Sequence, residues 1–273
     1  MKKTLWFCIA PILFMAVIAF TACESSQHMV KDSEANKKTE ISEEILKEDA
    51  EFIKQIEELH STIFVDYGFL DDLKELLTNF GVTGPNLIVR CEVVSRGETA
   101  VITSLSTFTN EDLKSDNEEY VRIAIDCIRT PYKVKIKEVY HGTINKEDDI
   151  ITVIAPYGTI DGFANKDSDY PIYGVGCEYI LFFHIFERFG ELEYWLVLPP
   201  FSWVKLDTQK GTFETSKLAQ SMYSKYKGST EKLVGDLKKL IKNNDLITEV
   251  ESYGDIESAL EYKRQKNNSQ GEK

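Results

Sequence analysis

The sequence lacks the paired metal-ligand and catalytic motifs from which enzymes are most often identified. Its 273 residues include only four histidines and five cysteines, and no CxxC, Cys–His or HExxH spacing joins them. No GxSxG motif, P-loop or GxGxxG motif occurs in a suitable context either. These absences argue against a zinc site, a serine hydrolase and a nucleotide-binding enzyme. We therefore expect no catalytic residue, no metal and no other cofactor.

Positive charge is also scarce. The chain has 32 basic and 45 acidic residues, which gives a formal net charge of −13. A strongly negative surface repels nucleic-acid phosphates and anionic lipid headgroups, so we expect no nucleic-acid partner. Simple solubility is the plainest explanation of this charge, and attraction of cations or basic partners is the alternative.

The cysteine count outside the first 23 residues is odd. Cys91, Cys127 and Cys177 remain there, so at least one thiol is free or pairs between molecules. Cys91 and Cys127 both lie in strand-like runs and could form one disulfide in an oxidising compartment. Three buried free thiols are the favoured expectation, because free cysteine behaves as a small apolar side chain.

The N-terminus combines two lysines, an apolar run and small residues before a cysteine. Lys2 and Lys3 precede the run, and Phe20-Thr21-Ala22-Cys23 follows it. This order resembles the lipobox of bacterial lipoproteins, with phenylalanine in place of the usual leucine. The resemblance implies a signal peptide at 1–22 and a diacylglyceryl group, with acyl chains such as palmitate, on Cys23. The chain would then be lipid-anchored on the extracytoplasmic face of the cell membrane.

The rest of the chain divides by composition and by hydrophobic period. Residues 23–40 are polar and are predicted to form a flexible tether. Residues 41–82 show helical periodicity, with helices predicted at 41–60 and 69–80. Residues 86–207 are predicted to form a β domain, and residues 212–273 a C-terminal helical region that includes a helix over 230–242.

The β domain is predicted from short runs of β-branched and aromatic residues. Tyr132–Val139 alternates polar and apolar residues, which is typical of a strand with one buried face. The remaining predicted strands cover residues 87–94, 120–128, 150–154, 178–185, 193–198 and 201–206. Residues 157–174 are rich in glycine, asparagine and aspartate and are predicted to be a loop. Such a succession of short strands favours an antiparallel barrel or sandwich.

Three blocks in the β domain carry a resemblance. Val134–Gly142 is similar to a V-x-V-x-E-V-x-K-G strand and turn, Asp149–Val153 to D-x-I-x-V, and Val175–Phe182 to V-G-E-E-Y-L-L-F. The blocks resemble those of uncharacterised surface lipoproteins of Gram-positive bacteria and, more remotely, the netrin-like and metalloproteinase-inhibitor barrel. This resemblance implies an α+β chain that is mainly β. It would hold an OB-like antiparallel β-barrel of five to seven strands, flanked by N-terminal and C-terminal helices.

The chain departs from that pattern at informative positions. His141 replaces the lysine before the turn glycine, and Cys177 replaces the first glutamate after Val-Gly. The inhibitor family acts through an N-terminal cysteine in a disulfide, whereas the N-terminal cysteine here is Cys23, the predicted lipid acceptor. The resemblance therefore implies the fold of this chain, and it does not imply protease inhibition.

A candidate binding site is predicted from aromatic and acidic side chains in and near the 157–174 loop. Aromatic residues beside carboxylates can hold sugars or peptides. The residues singled out are Phe163, Asp167, Asp169, Tyr170 and Trp195.

A calcium site is the alternative for the aspartates, because Asn165–Asp169 begins like an EF-hand loop. Tyr170 and Gly176 stand where that loop needs glycine and glutamate, so we expect a solvated acidic loop.

The sequence thus favours a non-enzymatic lipoprotein that acts as a binding or assembly module at the cell envelope, with a protein or glycan partner. The alternative is an envelope hydrolase that uses carboxylates of the 157–174 loop. In that case two carboxylates would converge in a pocket.

Overall fold

The computed structural model describes residues 43–61, 70–78, 84–103, 107–144, 149–188, 191–244, 246, 248 and 251–253. The chain divides into two compact units, Met1–Glu48 and Asp49–Lys273. In the first unit only residues 43–48 are described, and all of them are helical. The predicted signal peptide, Cys23 and the tether lie outside the described residues. No helix in the described part of the chain is long and apolar enough to cross a membrane.

Five α-helices are described. They are α1 (43–58), α2 (Leu73–Thr78), α3 (Glu118–Asp126), α4 (Gln220–Tyr223) and α5 (Thr230–Asn243), with 3-10 turns at Asn110–Lys114 and Ser224–Tyr226. Ser229 caps α5 by accepting a hydrogen bond from the backbone N–H of Lys232. The predicted helices at 41–60, 69–80 and 230–242 therefore correspond to α1, α2 and α5.

The prediction of a strand over 120–128 is wrong, because this segment is helix α3. The Asn117 side chain accepts hydrogen bonds from the backbone N–H groups of Glu119 and Tyr120 at 3.0 and 3.4 Å, which starts the helix. Ala124 is then buried beside Leu113 and Ile128. The chain becomes extended only at Ile128, where the next strand begins.

Eleven strands are described. They are β1 (Leu87–Arg96), β2 (Ala100–Val101), β3 (Ile128–His141), β4 (Ile150–Ala155), β5 (Tyr157–Ile160), β6 (Phe163–Lys166), β7 (Glu178–Arg188), β8 (Glu191–Leu196), β9 (Trp203–Asp207), β10 (Thr212–Glu214) and β11 (Glu251–Tyr253). All except β5 and β6 belong to one sheet. The described pairings are antiparallel apart from β11, which runs parallel to β7.

The sheet curls into a barrel-like shape. β1 lies between β3 and β7, β4 pairs with the far side of β3, and β8 and β9 pair with β7. β4 and β8, at opposite ends of this strand order, approach each other, which requires the sheet to bend round on itself. The order β4-β3-β1-β7-β8 is that of an OB-like barrel. The predicted fold class, mainly antiparallel β with flanking helices, is confirmed.

Each face of the sheet carries its own core. The inner core contains Val89, Cys91 and Val93 of β1, alternate residues of β7, and the buried tyrosines Tyr132, Tyr157, Tyr173 and Tyr179. The outer core contains Ile88 of β1 and Ile180 and Phe182 of β7, covered by leucines of α2 and α5, by Tyr223 of α4 and by Tyr226 of the following 3-10 turn. The start of β1, Leu87–Val89, and the stretch Tyr179–Phe183 of β7 are therefore buried on both faces, as expected for strand segments covered on both sides.

Candidate functional site

Residues 157–174 include a hairpin, so the prediction that the whole segment is a loop is wrong. β5 and β6 pair in register from Tyr157–Lys166 to Ile160–Phe163, and Asp161-Gly162 forms the turn with positive φ angles of 49° and 85°. A Cβ on Gly158 would lie 2.4 Å from Cγ2 of Thr99, so the close approach of the hairpin to the barrel requires glycine there.

Side chains on three sides hold this hairpin in place. The Thr130 hydroxyl donates to the carbonyl of Tyr157 at 2.7 Å. The Asn165 amide donates to the carbonyls of Asp126 and Ile128, each at 3.3 Å. Lys166 Nζ donates to the carbonyl of Leu59 at 2.9 Å, just beyond the end of α1. The hairpin is therefore part of the packed structure.

The aspartates after the hairpin do not form the predicted solvated acidic loop. Asp167 is only 6% exposed, and its Oδ1 accepts a hydrogen bond from the backbone N–H of Asp169 at 3.0 Å. Burial raises the pKa of Asp167, while its hydrogen bond and the nearby Arg129 act in the opposite direction. The pKa of Asp169 is raised by burial and by the charge of Asp167. Asp167 thus stabilises a turn of the backbone.

The aromatic residues of this segment are packing residues. Tyr170 is half-buried against the inner core, and Phe163 is half-buried against the small cluster formed by α3 and β2. The indole Nε1 of Trp203, on β9, donates to the carbonyl of Asp169 at 3.2 Å. Four of the five candidate residues therefore lie in a segment that packing and hydrogen bonds hold against the barrel. They are Phe163, Asp167, Asp169 and Tyr170.

Trp195 lies apart from the other candidates, on the outward face of β8. Its ring stacks on Phe186 of β7 with a centroid distance of 6.3 Å and an interplanar angle of 24°. Its Nε1 donates to the Glu193 carboxylate at 2.9 Å, which fixes the ring's orientation. The side chain nevertheless remains 47% exposed, and Leu192, on the same strand, is 49% exposed.

The surroundings of Trp195 form a continuous patch. His184 pairs across the strands with Trp195, and its ring lies 6.0 Å from that of Phe186. The Arg188 guanidinium lies 5.0 Å from the Phe186 ring centroid and 3.8 Å from Glu193. We call His184, Phe186, Arg188, Glu193 and Trp195 the aromatic patch. The sequence shows His184, Phe186 and Arg188 at alternate positions, a pattern that places them on one face of a strand.

The three cysteines are free thiols and do not form the alternative disulfide. Cys91 is buried, and its burial raises the pKa of the thiol well above the ordinary range. Cys127 and Cys177 are only half-buried, so the expectation of three buried thiols holds for Cys91 alone. Within the described residues no group of three or more histidine, cysteine or acidic side chains is arranged to hold a metal ion.

Comparisons with protein-family models, with curated proteins and with solved structures find no match to this chain.

Proposed function

We propose that this protein is anchored by lipid on Cys23 at the extracytoplasmic face of the cell membrane, and that its barrel binds an envelope component through the aromatic patch. The observation that carries the binding proposal is the position of Trp195. This large side chain is held in one orientation by Phe186 and Glu193 and is nevertheless 47% exposed.

An exposed and oriented tryptophan is well suited to binding. Burial of apolar surface contributes about 25 cal/mol per Å² removed from water. A side chain that is already oriented loses little conformational entropy when a partner covers it. Tryptophan and arginine are enriched among the residues that dominate binding energy at interfaces. Trp195 would supply the apolar contact, and Arg188 and Glu193 would supply polar contacts at its rim.

The anchor is proposed from the sequence of residues 1–23. An apolar run after Lys2 and Lys3 and a lipobox-like Phe20-Thr21-Ala22-Cys23 favour lipid attachment. Two acyl chains would give stable anchoring, whereas a single chain gives only marginal binding. A tether over 23–40 would let the folded unit reach on the order of 20–25 Å from the anchored residue.

Metabolic labelling with radioactive fatty acid in the source bacterium tests the anchor. We expect the label to enter the protein and to be lost in a Cys23→Ser variant, which would also leave the membrane fraction. A Cys8→Ser variant is the matched control and should keep the label, because Cys8 lies in the predicted signal peptide. A Cys23→Ser protein that kept the label and still sedimented with membranes would contradict the anchor.

Recovery of partners from detergent-solubilised envelopes tests the aromatic patch. The immobilised mature chain should retain an envelope protein or glycan that a Trp195→Ala variant no longer retains. Ile150→Ala is the matched control, because Ile150 is as exposed as Trp195, at 47%, and lies on β4, outside the patch. Equal recovery by Trp195→Ala and by wild type would contradict the proposed role of the patch.

The alternative, an envelope hydrolase, has weaker support. The raised pKa values of Asp167 and Asp169 suit a general acid. However, Asp167 is buried and its Oδ1 accepts a backbone hydrogen bond, as a structural carboxylate does. Cleavage of envelope glycans by the purified protein, abolished in a folded Asp167→Asn variant, would favour the hydrolase.

A further inference from the structure

The charge of the chain is unevenly distributed. Residues 208–244 contain eight lysines and three acidic residues, so this segment carries +5 in a chain of net −13. The segment includes β10, α4 and α5. A basic region therefore lies on the helical side of the outer core, although the net charge of the whole protein is negative.

Only three of these eight lysines form ion pairs with described carboxylates. The pairs are Lys210–Asp207 at 2.9 Å, Lys225–Asp236 at 3.0 Å and Lys238–Glu138 at 2.7 Å. The other five are exposed and have no carboxylate within 4.0 Å among the described residues. They are Lys217, Lys227, Lys232, Lys239 and Lys242. Their charges are therefore available to an external anion.

Three of the five lysines form one stripe on α5. Leu233 and Leu237 face the outer core, whereas Lys232, Lys239 and Lys242 project from the opposite side of the helix. Their spacing of seven and three residues keeps them on one face, over about 15 Å of helix. Gly235 lies between them, and a Cβ there would meet no atom within 4 Å, so the stripe is open to solvent.

The remaining two lysines line a shallow groove near the start of α5. Lys217 and Lys227 border it together with Tyr223 and one carboxylate, that of Glu214, and its volume is about 550 Å³. Leu218, next to Lys217, is 46% exposed. The groove and the stripe together form what we call the basic face.

We propose that the basic face docks on the anionic phospholipid headgroups of the membrane that carries the anchor. This inference rests on the proposed function, because the lipid would hold the face within reach of the headgroups. Charge complementarity favours this docking, because each lysine near an anionic surface gains favourable energy. At physiological ionic strength the Debye length is about 8 Å, so acidic side chains farther away than this are largely screened. Leu218 would enter the headgroup layer beside Lys217.

Vesicle co-sedimentation tests this proposal separately from the anchor. The mature chain with Cys23→Ser carries no lipid, so its binding depends on the folded surface alone. We expect it to bind vesicles that contain phosphatidylglycerol, to bind phosphatidylcholine vesicles far less, and to dissociate as salt is added. Equal binding to the two kinds of vesicle would overturn the proposal, even if fatty acid labelled Cys23 as expected.

Charge variants identify the face. Lys232→Gln/Lys239→Gln/Lys242→Gln should lose about a hundredfold in affinity for phosphatidylglycerol vesicles, since one lysine contributes about fivefold. Lys133→Gln/Lys135→Gln/Lys137→Gln is the matched control. It removes three exposed lysines from β3 and should change affinity by less than about threefold.

A third variant separates charge from folding. Lys232→Arg/Lys239→Arg/Lys242→Arg keeps the stripe's charge and should bind as wild type does. Melting temperatures and circular dichroism would verify that all variants are folded. An equal loss of affinity in the β3 control, or a loss in the arginine variant as large as in the glutamine variant, would overturn the proposal.

Discussion

The outward-facing residues of β7 have different surroundings in the two halves of the strand. In the first half, Ile180 and Phe182 face outward and are fully buried beneath α2, α4 and α5. In the second half, His184 and Phe186 face the same way, are only half-buried and lie beside the exposed Trp195. An aromatic residue on this face thus becomes core in one half and surface in the other, depending on what packs over it.

A buried asparagine marks the boundary between the two halves. The side chain of Asn86 accepts from the backbone N–H of Ile185 at 2.6 Å and donates to the carbonyl of Ile185 at 2.7 Å. Its own backbone N–H donates to the carbonyl of Phe183 at 3.0 Å. The side chain extends the hydrogen-bond ladder just beyond the start of β1. Beyond this point β7 pairs with β8 and, in parallel, with β11.

The largest expected effect separates the two phenylalanines. Phe182→Ala should destabilise the protein by about 3–5 kcal/mol, because it opens a cavity in a fully packed core. Phe186→Ala, on the same face of the same strand, should cost only about 1 kcal/mol, since the ring is half-exposed. Urea unfolding measures both. Equal losses of stability would contradict the claim that only the first half of β7 has a buried core on its outward face.

The next largest effect tests the boundary. Asn86→Ala should cost about 2 kcal/mol or more, because it leaves the N–H and carbonyl of Ile185 buried without that partner. Asn86→Asp keeps the acceptor for the N–H, removes the donor and buries a charge, so it should also destabilise. Thermal unfolding of the two variants checks the prediction. An alanine variant as stable as wild type would contradict the proposed role of Asn86 in stabilising β7 at the boundary between its two halves.

Sequence alone predicted the regular elements of the barrel well. The strict alternation of Tyr132–Val139 marked β3, and the apolar spacing of residues 230–242 marked α5, because both patterns reflect one buried face. The strand predicted over 120–128 is helix α3, because β-branched residues such as Val121, Ile123 and Ile125 are typical of strands, whereas the cap at Asn117 starts a helix here. The β5–β6 hairpin was missed because its glycines and aspartates are typical of loops.

The candidate site was harder to predict than the fold. The burial of Asp167 could not be predicted, because the preceding β5–β6 hairpin was interpreted as loop. Its charged neighbour Arg129 is distant in sequence. Trp195 was singled out as a candidate binding residue, but its stacking partner Phe186 could not be assigned without the register between β7 and β8. That His184 and Phe186 are only half-buried depends on where the helices lie, which is a property of tertiary packing.

A smaller effect is expected in the fluorescence of the mature chain, which has two tryptophans, Trp195 and Trp203. A Trp203→Phe variant retains the exposed Trp195 and should be quenched strongly by acrylamide. A Trp195→Phe variant retains the half-buried Trp203 and should be quenched less. Stern–Volmer plots compare them directly. The opposite order would mean that the aromatic patch is covered and that the second half of β7 resembles the first.

The smallest effect concerns the carboxylate after the hairpin. Burial raises the pKa of Asp167 above 3.8, so the charged form costs stability in the folded protein and the protonated form does not. This cost appears as pH rises through the raised pKa. An Asp167→Asn variant should therefore be slightly more stable than wild type at neutral pH and should match it below pH 3.8. A variant less stable at neutral pH would indicate that the charge is needed.

Photo-crosslinking in living cells tests most directly the central claim that the second half of β7, with β8, is a binding surface displayed at the envelope. An aromatic photoreactive amino acid would replace Trp195, which is 47% exposed in the aromatic patch, or Ile150, which is 47% exposed on β4. We expect a discrete adduct with an envelope protein or glycan from position 195 and none from position 150. No adduct from position 195, or the same adduct from both positions, would contradict the claim.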